Sequence, residues 1–323
     1  MRRQARAASV GVSGSAAQGP ALPPSDRGSS RTLAQHETLS AYGFLAANGL
    51  GFLAFTLIPI AASAVLSLFN WPLQGTPSFT GLQNYITLLT TDPVFKKVFL
   101  NTLYFVAGYV PLNMILSVGI AVWLNSVRWK AFFRIVFFLP VVTPAVGNAL
   151  IWTLIYSPNG GVLNWVLSSV LHLPAPNWLG SQYLAMPAMI AMSLWQGFGY
   201  NMLVFSAGLQ VIPQELYEAA AIDGATSMRS FWSITLPLLT PFLFFGLVLT
   251  LISSFQVFTQ PFILTGGGPG VSTTTLVLYL YNNGFQYLRM GYAAAIAWIL
   301  FLIIMVITAF QFVGQRRWVH YEH

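Results

Sequence analysis

Cysteine is absent from this sequence, so no disulfide framework, iron–sulfur cluster or thiol nucleophile is available. Charge is nearly as scarce. Asp, Glu, Lys and Arg supply 7% of the 323 residues, where a soluble domain carries about a quarter. The four histidines, His36, His172, His320 and His323, form no zinc-binding spacing. No paired catalytic carboxylates and no nucleophile elbow are present. The run Gly266, Gly267, Gly268, Pro269, Gly270 lacks the lysine that a phosphate-binding loop requires. The chain does not read as an enzyme, and no metal or cofactor is expected to bind to it.

Apolar residues are what the chain has instead. It is 56% hydrophobic with mean hydropathy +0.68, the composition of an integral membrane protein. Six apolar segments stand out: Phe44–Phe69, Phe99–Leu124, Ile135–Tyr156, Leu184–Leu209, Leu238–Phe262 and Tyr292–Val313. Each is long enough to cross about 30 Å of hydrocarbon as a tilted helix, and none has a charge in its core. The expectation is an all-α protein with six transmembrane helices. Pro59, Pro111, Pro144 and Pro187 are expected to kink spans, and Trp71, Trp152, Trp178 and Trp318 to sit near the interfaces. Residues 1–40, polar and dotted with Arg2, Arg3, Arg6, Arg27 and Arg31, read as a disordered cytoplasmic tail that contacts anionic lipid. With no aromatic or motif residues beside those arginines, nucleic acid is not a partner. Residues 41–323 form the six-span domain.

Lys and Arg set the orientation. With the N-terminus in the cytoplasm, the inner segments hold eleven of the fourteen, and the outer ones only Lys96, Lys97 and Arg289. The positive-inside rule therefore places both termini inside, together with the polar stretch between the fourth and fifth spans.

That stretch, Glu218 to Pro237, reads EAAAIDGATSMRSFWSITLP. Pro213 can open a helix, and Glu215 and Glu218 suit its positive end. Ala219, Ala220 and Ala221 keep the helix slim enough for another surface to approach closely. Gly224 supplies a chain reversal that a side chain would hinder, and Asp223 or Thr226 caps a second short helix. The spacing of Glu218, Ala219, Ala220, Gly224, Ile234, Leu236 and Pro237 resembles the EAA loop of the permease subunits of binding-protein-dependent ABC importers. The stretch Leu264 to Tyr281 is similar to the segment after the fifth span in the carbohydrate-importing branch, through Thr265, Gly267, Gly268, Pro269, Ser272, Thr273, Tyr279 and Tyr281.

The resemblance implies a type I ABC importer permease fold in a bacterial-type cytoplasmic (inner) membrane, with a core over about 97–313 and a coupling loop over 213–237. It implies a second homologous permease, a dimer of ATPase subunits that binds ATP and Mg, and an extracytoplasmic solute-binding protein. It also assigns ATPase coupling to Glu218, Ala219, Ala220, Asp223, Gly224, Ile234, Leu236 and Pro237. For the solute, Gln196 and Asn201 in the fourth span and Ser253, Ser254 and Gln256 in the fifth admit two readings. They bind helix to helix, or they line a path for a polar, uncharged solute. Trp195 and Phe255 could stack on a sugar ring or pack in core or lipid. The uncharged run after Pro158 is expected to lie flat at the outer interface. The function expected is import of a sugar or oligosaccharide by alternating access. Glycerol phosphate or a polyol is the alternative solute. An ion-coupled secondary transporter is the alternative class, but it needs carboxylates or histidines inside spans, and none is there.

Overall fold

The computed structural model describes residues 27–72 and 75–319. The tail expected over 1–40 lies outside the described residues as far as 26. From there α1 (Arg27–Phe52) begins, inside the stretch read as tail. The chain divides into two compact units, up to Ile60 and from Ala61 onward. The first holds α1 and a π-helical turn, Leu53–Leu57.

The helix α2 (Ile58–Leu66) starts in the last residues of the first unit and runs into the second, where it is followed by a two-stranded antiparallel hairpin, β1 (Phe69–Asn70) with β2 (Ser78–Phe79), in which Phe69 pairs with Phe79. A short α3 (Gln83–Ile86) follows. Then α4 (Pro93–Ser126) runs 34 residues, started by Asp92, whose carboxylate accepts hydrogen bonds from the Val94 and Phe95 N–H groups at 2.9 and 3.0 Å. Such a cap is worth about 1 kcal/mol, and proline at the first helical position needs no partner for its missing N–H.

The third apolar segment is not one straight span. It forms α5 (Lys130–Val142) and α6 (Ala145–Ile155), bent by 96°. Pro144 causes the break: it lacks the N–H that would reach the Pro140 carbonyl and holds Thr143 extended. The buried Asn148 side chain repairs the loss by donating to that carbonyl at 3.1 Å. After α7 (Val162–Trp165) comes α8 (Ala185–Val211), then α9 (Gln214–Ile222), α10 (Ser227–Ser230) and α11 (Leu236–Phe255). The short α12 (Thr259–Leu264) and α13 (Leu276–Tyr281) precede α14 (Met290–Gln315).

Among the described residues, four helices are long and apolar enough to cross a membrane, or five if the bent pair is one span. The sequence suggests six. The shortfall is α8, whose 27 residues suffice in length but include Ser193, Gln196, Asn201, Ser206 and Gln210. The windows that qualify within α4 and α14 are only 28% buried. Their remaining apolar surface faces outward, as a lipid-facing wall does.

The helices pack through three mixed clusters. One joins Phe105 of α4 to Met186, Met189 and Met192 of α8. A second joins Phe95, Phe255, Leu276 and Ile296. The third joins Leu124, Met202, Phe205 and Leu239. Along these contacts α4 and α8 run parallel, and α11 runs against both.

Candidate functional site

Two regions gather the residues that the sequence singles out. The first is the turn between α9 and α10. The α9 helix ends in a Schellman motif: the Ala225 N–H reaches the Ala220 carbonyl at 2.9 Å, and the Gly224 N–H reaches Ala221 at 3.1 Å. Gly224 has φ +75°, a conformation that costs an L side chain roughly 1–2 kcal/mol, and a Cβ there would meet nothing within 4 Å. Asp223 is the C-cap of α9, and the cap of α10 is Thr226, whose hydroxyl accepts from the Arg229 N–H. Pro213 is the N-cap of α9, one position ahead of the first helical residue. A proline nitrogen has no hydrogen, so it loses nothing in either place.

The eight residues to which the resemblance assigns coupling divide between two environments. Glu218, Ala219, Asp223 and Gly224 are exposed, beside an equally exposed Ile222 and Met228. Ala220, Ile234, Leu236 and Pro237 are half-buried, the last three where the chain re-enters the bundle. Tyr217, which sequence reasoning missed, links the two groups: its hydroxyl lies 2.9 Å from Thr235 Oγ1. Nothing in the local pattern marks that tyrosine; only the folded-back path of the chain does.

The second region is a pair of adjoining cavities of about 500 and 280 Å³ among α4, α8 and α11. Gln196, Ser253 and Gln256 line both, Asn201 the larger and Ser254 the smaller. Among the described residues, no Asp, Glu, Lys, Arg or His lines either. The five do not have equal freedom. Asn201 is 2% exposed, and its amide donates to Asn113 Oδ1 and Thr250 Oγ1, both at 2.7 Å, tying α8 to α4 and α11. Ser253 and Ser254 donate to carbonyls of their own helix. Gln196 Oε1 is buried without a partner. Asn201 thus serves the helix-packing reading at its nitrogen, while Gln196 Oε1 and Asn201 Oδ1 both keep an acceptor unused.

Tyr109 also lines both cavities and was not foreseen. Its ring stacks on Phe105, with centroids 5.4 Å apart. Its hydroxyl would lie 2.2 Å from a Cβ on residue 197, so that position of α8 must be glycine for the tyrosine to fit. Trp195 and Phe255 are in neither lining. Trp195 packs edge-on to Trp152, and Phe255 is buried in the second cluster.

The segment after α11 is ordered by side-chain hydrogen bonds. Thr273 Oγ1 donates to the Gly268 carbonyl at 2.8 Å and Thr274 Oγ1 to Gly267 at 2.9 Å. The Asn101 amide donates to the Val271 and Thr274 carbonyls, and Thr102 Oγ1 accepts from the Leu276 N–H. Nearby, Tyr279 and Tyr292 both donate to Asp92 Oδ2. Burial pushes the Asp92 carboxyl up, but these two hydroxyls and the two cap N–H groups outweigh it and hold it below the usual carboxylate range.

About 22 Å of helix lies along α8 between Gln196 and its last residue, Val211, beyond which α9 and the exposed turn follow. A polar chamber at one level and an exposed, alanine-lined turn at another are joined by α8 and, after an extended break at Ile212 and Pro213, by α9.

Residues 113–320 match the model of a family described as binding-protein-dependent transport system inner membrane component. The chain is 35% identical to the arabinooligosaccharides transport system permease protein AraP of Bacillus subtilis, over 86% of this chain and 89% of that one. It is 39% identical to the sn-glycerol-3-phosphate transport system permease protein UgpA of Agrobacterium fabrum, over 76% and 83%. Its fold matches a chain in the crystal structure of a bacterial alginate ABC transporter in complex with an alginate pentasaccharide-bound periplasmic protein, with TM-score 0.75, 24% identity, and coverage of 87% of this chain and 96% of that one. On the family match and the lengths aligned, the chain belongs to the inner membrane components of binding-protein-dependent transport systems, the multi-pass permease subunits of ABC transporters.

Proposed function

We propose that this permease imports a neutral sugar or oligosaccharide across a bacterial cytoplasmic membrane. The observation that carries the proposal is the chemistry of the paired cavities. Their polar groups are amides and hydroxyls without a single charge. Such a lining hydrogen-bonds a polyhydroxy solute but leaves a phosphate uncompensated in a low-dielectric site. This favours sugar over glycerol phosphate.

In this reading the chain has six spans and both termini in the cytoplasm, with α8 serving as the span whose polar face builds the chamber. The exposed turn around Gly224 faces the cytoplasm and docks on an ATPase subunit. ATP and Mg bind there, not here. A second homologous permease completes the pathway, and an extracytoplasmic solute-binding protein delivers the solute. Closure of the ATPase dimer moves Glu218, Asp223 and Gly224. Tyr217–Thr235 and the α8 and α11 helices carry that displacement to Gln196, Ser253 and Gln256, so the chamber opens to one side at a time.

The test is ATP hydrolysis by the reconstituted importer, with its binding protein loaded in turn with neutral sugars, polyols and glycerol phosphate. Stimulation by a neutral sugar is expected. Stimulation by glycerol phosphate alone would overturn the solute assignment. Failure of any ATPase to copurify would overturn the coupling assignment.

A further inference from the structure

A slot of about 670 Å³ runs between α4 and α11, and no residue lines both it and the polar chamber. Its wall on α4 lies between Val110 and Gly119, and its wall on α11 between Leu236 and Leu247. Phe231 and Trp232, from the π-helical turn Phe231–Thr235, and Trp318, just past α14, close its inner end. Among the described residues, no charged, amide or hydroxyl side chain lines it. Gly119 deepens the wall, since a Cβ there would meet nothing within 4 Å. The slot opens on the outside of the bundle, where Ile115 is 70% and Trp232 61% exposed.

Its length and its inner end identify what fits it. Val110 and Gly119 are about 14 Å apart along α4, close to the roughly 15 Å that one leaflet gives to the hydrocarbon layer. Trp232 and Trp318 stand where tryptophan gathers, at the level of the lipid headgroups. Cations accompany both. Arg316 and Arg317 directly precede Trp318, Arg229 lies three residues before Trp232, and all three are exposed. None has an ion pair among the described residues, and no Asp or Glu occurs between Gly224 and Tyr321. An apolar slot that ends in unpaired cations complements a hydrocarbon chain that ends in an anion. A helix of another subunit suits it less well. Helix contacts in membranes bring small or hydrogen-bonding side chains together, and here Gly119 is the one small residue in walls of large apolar side chains.

We infer that the slot holds an acyl chain of an anionic inner-leaflet phospholipid, whose phosphate is bound by Arg229, Arg316 and Arg317. Guanidinium groups suit that role, because their paired N–H donors match phosphate oxygens. A lipid so placed bridges α4 and the segment that leaves the exposed turn, and braces the point where that segment re-enters the bundle. The site requires the orientation proposed above but not the solute.

Photolabelling tests this in the complete importer, held in phosphatidylcholine nanodiscs. The probes are phosphatidylglycerol and phosphatidylcholine, each carrying the same diazirine-bearing acyl chain, and the labelled peptides are mapped by mass spectrometry. The phosphatidylglycerol probe is expected to label the slot at Met114, Ile115 and Leu243 roughly fivefold more than the phosphatidylcholine probe, with no such excess on the outward face of α14. Combined Arg229→Gln, Arg316→Gln and Arg317→Gln should bring the two probes level in the slot. Gly119→Leu, which fills open space without a clash, should remove the slot label from both probes and leave the α14 label unchanged. Equal labelling by the two probes in the unaltered chain would make the occupant ordinary boundary lipid and overturn the site. An excess that survives loss of the three arginines would also overturn it. A slot that neither probe labels in the complete importer would belong to a contact between subunits, which overturns it as well.

Discussion

Single residues here act through backbone geometry as much as through side-chain chemistry. At Gly224 the constraint is a positive φ in open space. Gly224→Val would meet no neighbour yet force a β-branched residue into the left-handed region. The strain, roughly 1–2 kcal/mol, is too small to unfold the bundle, so the variant should reach the membrane in normal amounts. Sugar uptake per ATP hydrolysed in proteoliposomes should fall by about tenfold or more. Gly224→Asn, which tolerates that conformation, should keep most coupling. Equal loss in both variants would show that the bare backbone, and not the turn, is what matters. Position 197 obeys the opposite rule: its glycine is required by the Tyr109 hydroxyl pressed against it.

At the scale of elements, the chamber separates residues that hold helices together from residues free to meet a solute. Asn201 spends both amide hydrogens on Asn113 and Thr250. Hydrogen bonds between membrane helices average about 0.6 kcal/mol each, so Asn201→Leu should cost about 1 kcal/mol and lower the melting temperature in detergent. Gln196 makes no such bond among the described residues; its oxygen, like Asn201 Oδ1, is unpartnered. Gln196→Ala should leave melting unchanged and raise the half-saturating sugar concentration for uptake by several-fold, about 1 kcal/mol of lost hydrogen bonding. If Gln196→Ala melted early with uptake intact, the two roles would be reversed. Both residues look alike in sequence, a lone polar side chain in an apolar span; only the neighbours of each decide which role it plays.

For the molecule as a whole, Asp92 joins three elements: it caps α4 and receives hydroxyls from α13 and α14. Its carboxyl is held below the usual carboxylate range. A lowered folded-state value means the stabilisation is fully present above the unfolded value and is lost as pH falls through the folded one. The melting temperature should therefore be insensitive to this group from neutral pH down to about 5, and decline below about 4. Asp92→Asn should lower the plateau by about 1 kcal/mol, the margin between a charged and a neutral acceptor, and remove that group's share of the acid decline. Unchanged acid sensitivity in Asp92→Asn would show that another carboxylate governs it.

Membrane class, helical content and the glycine turn after α9 are legible in the sequence, because each is written in local composition or in a fixed spacing of residues. Apolar length sets a span, and a glycine after an alanine-rich helix sets a Schellman turn. The sequence also marked the polar residues of α8 and α11, since an amide in an apolar span stands out in a linear reading. Tertiary structure alone decided the rest. Pro144 marks the break between α5 and α6, but the 96° angle and the return of Asn148 to the Pro140 carbonyl belong to the folded chain. Tyr109 and Tyr217 gain their places from helices distant in sequence or from a chain that folds back, contacts with no periodicity to betray them. Hydrophobic pattern specifies which side chains leave water, but which of them meet is fixed by how the helices pack.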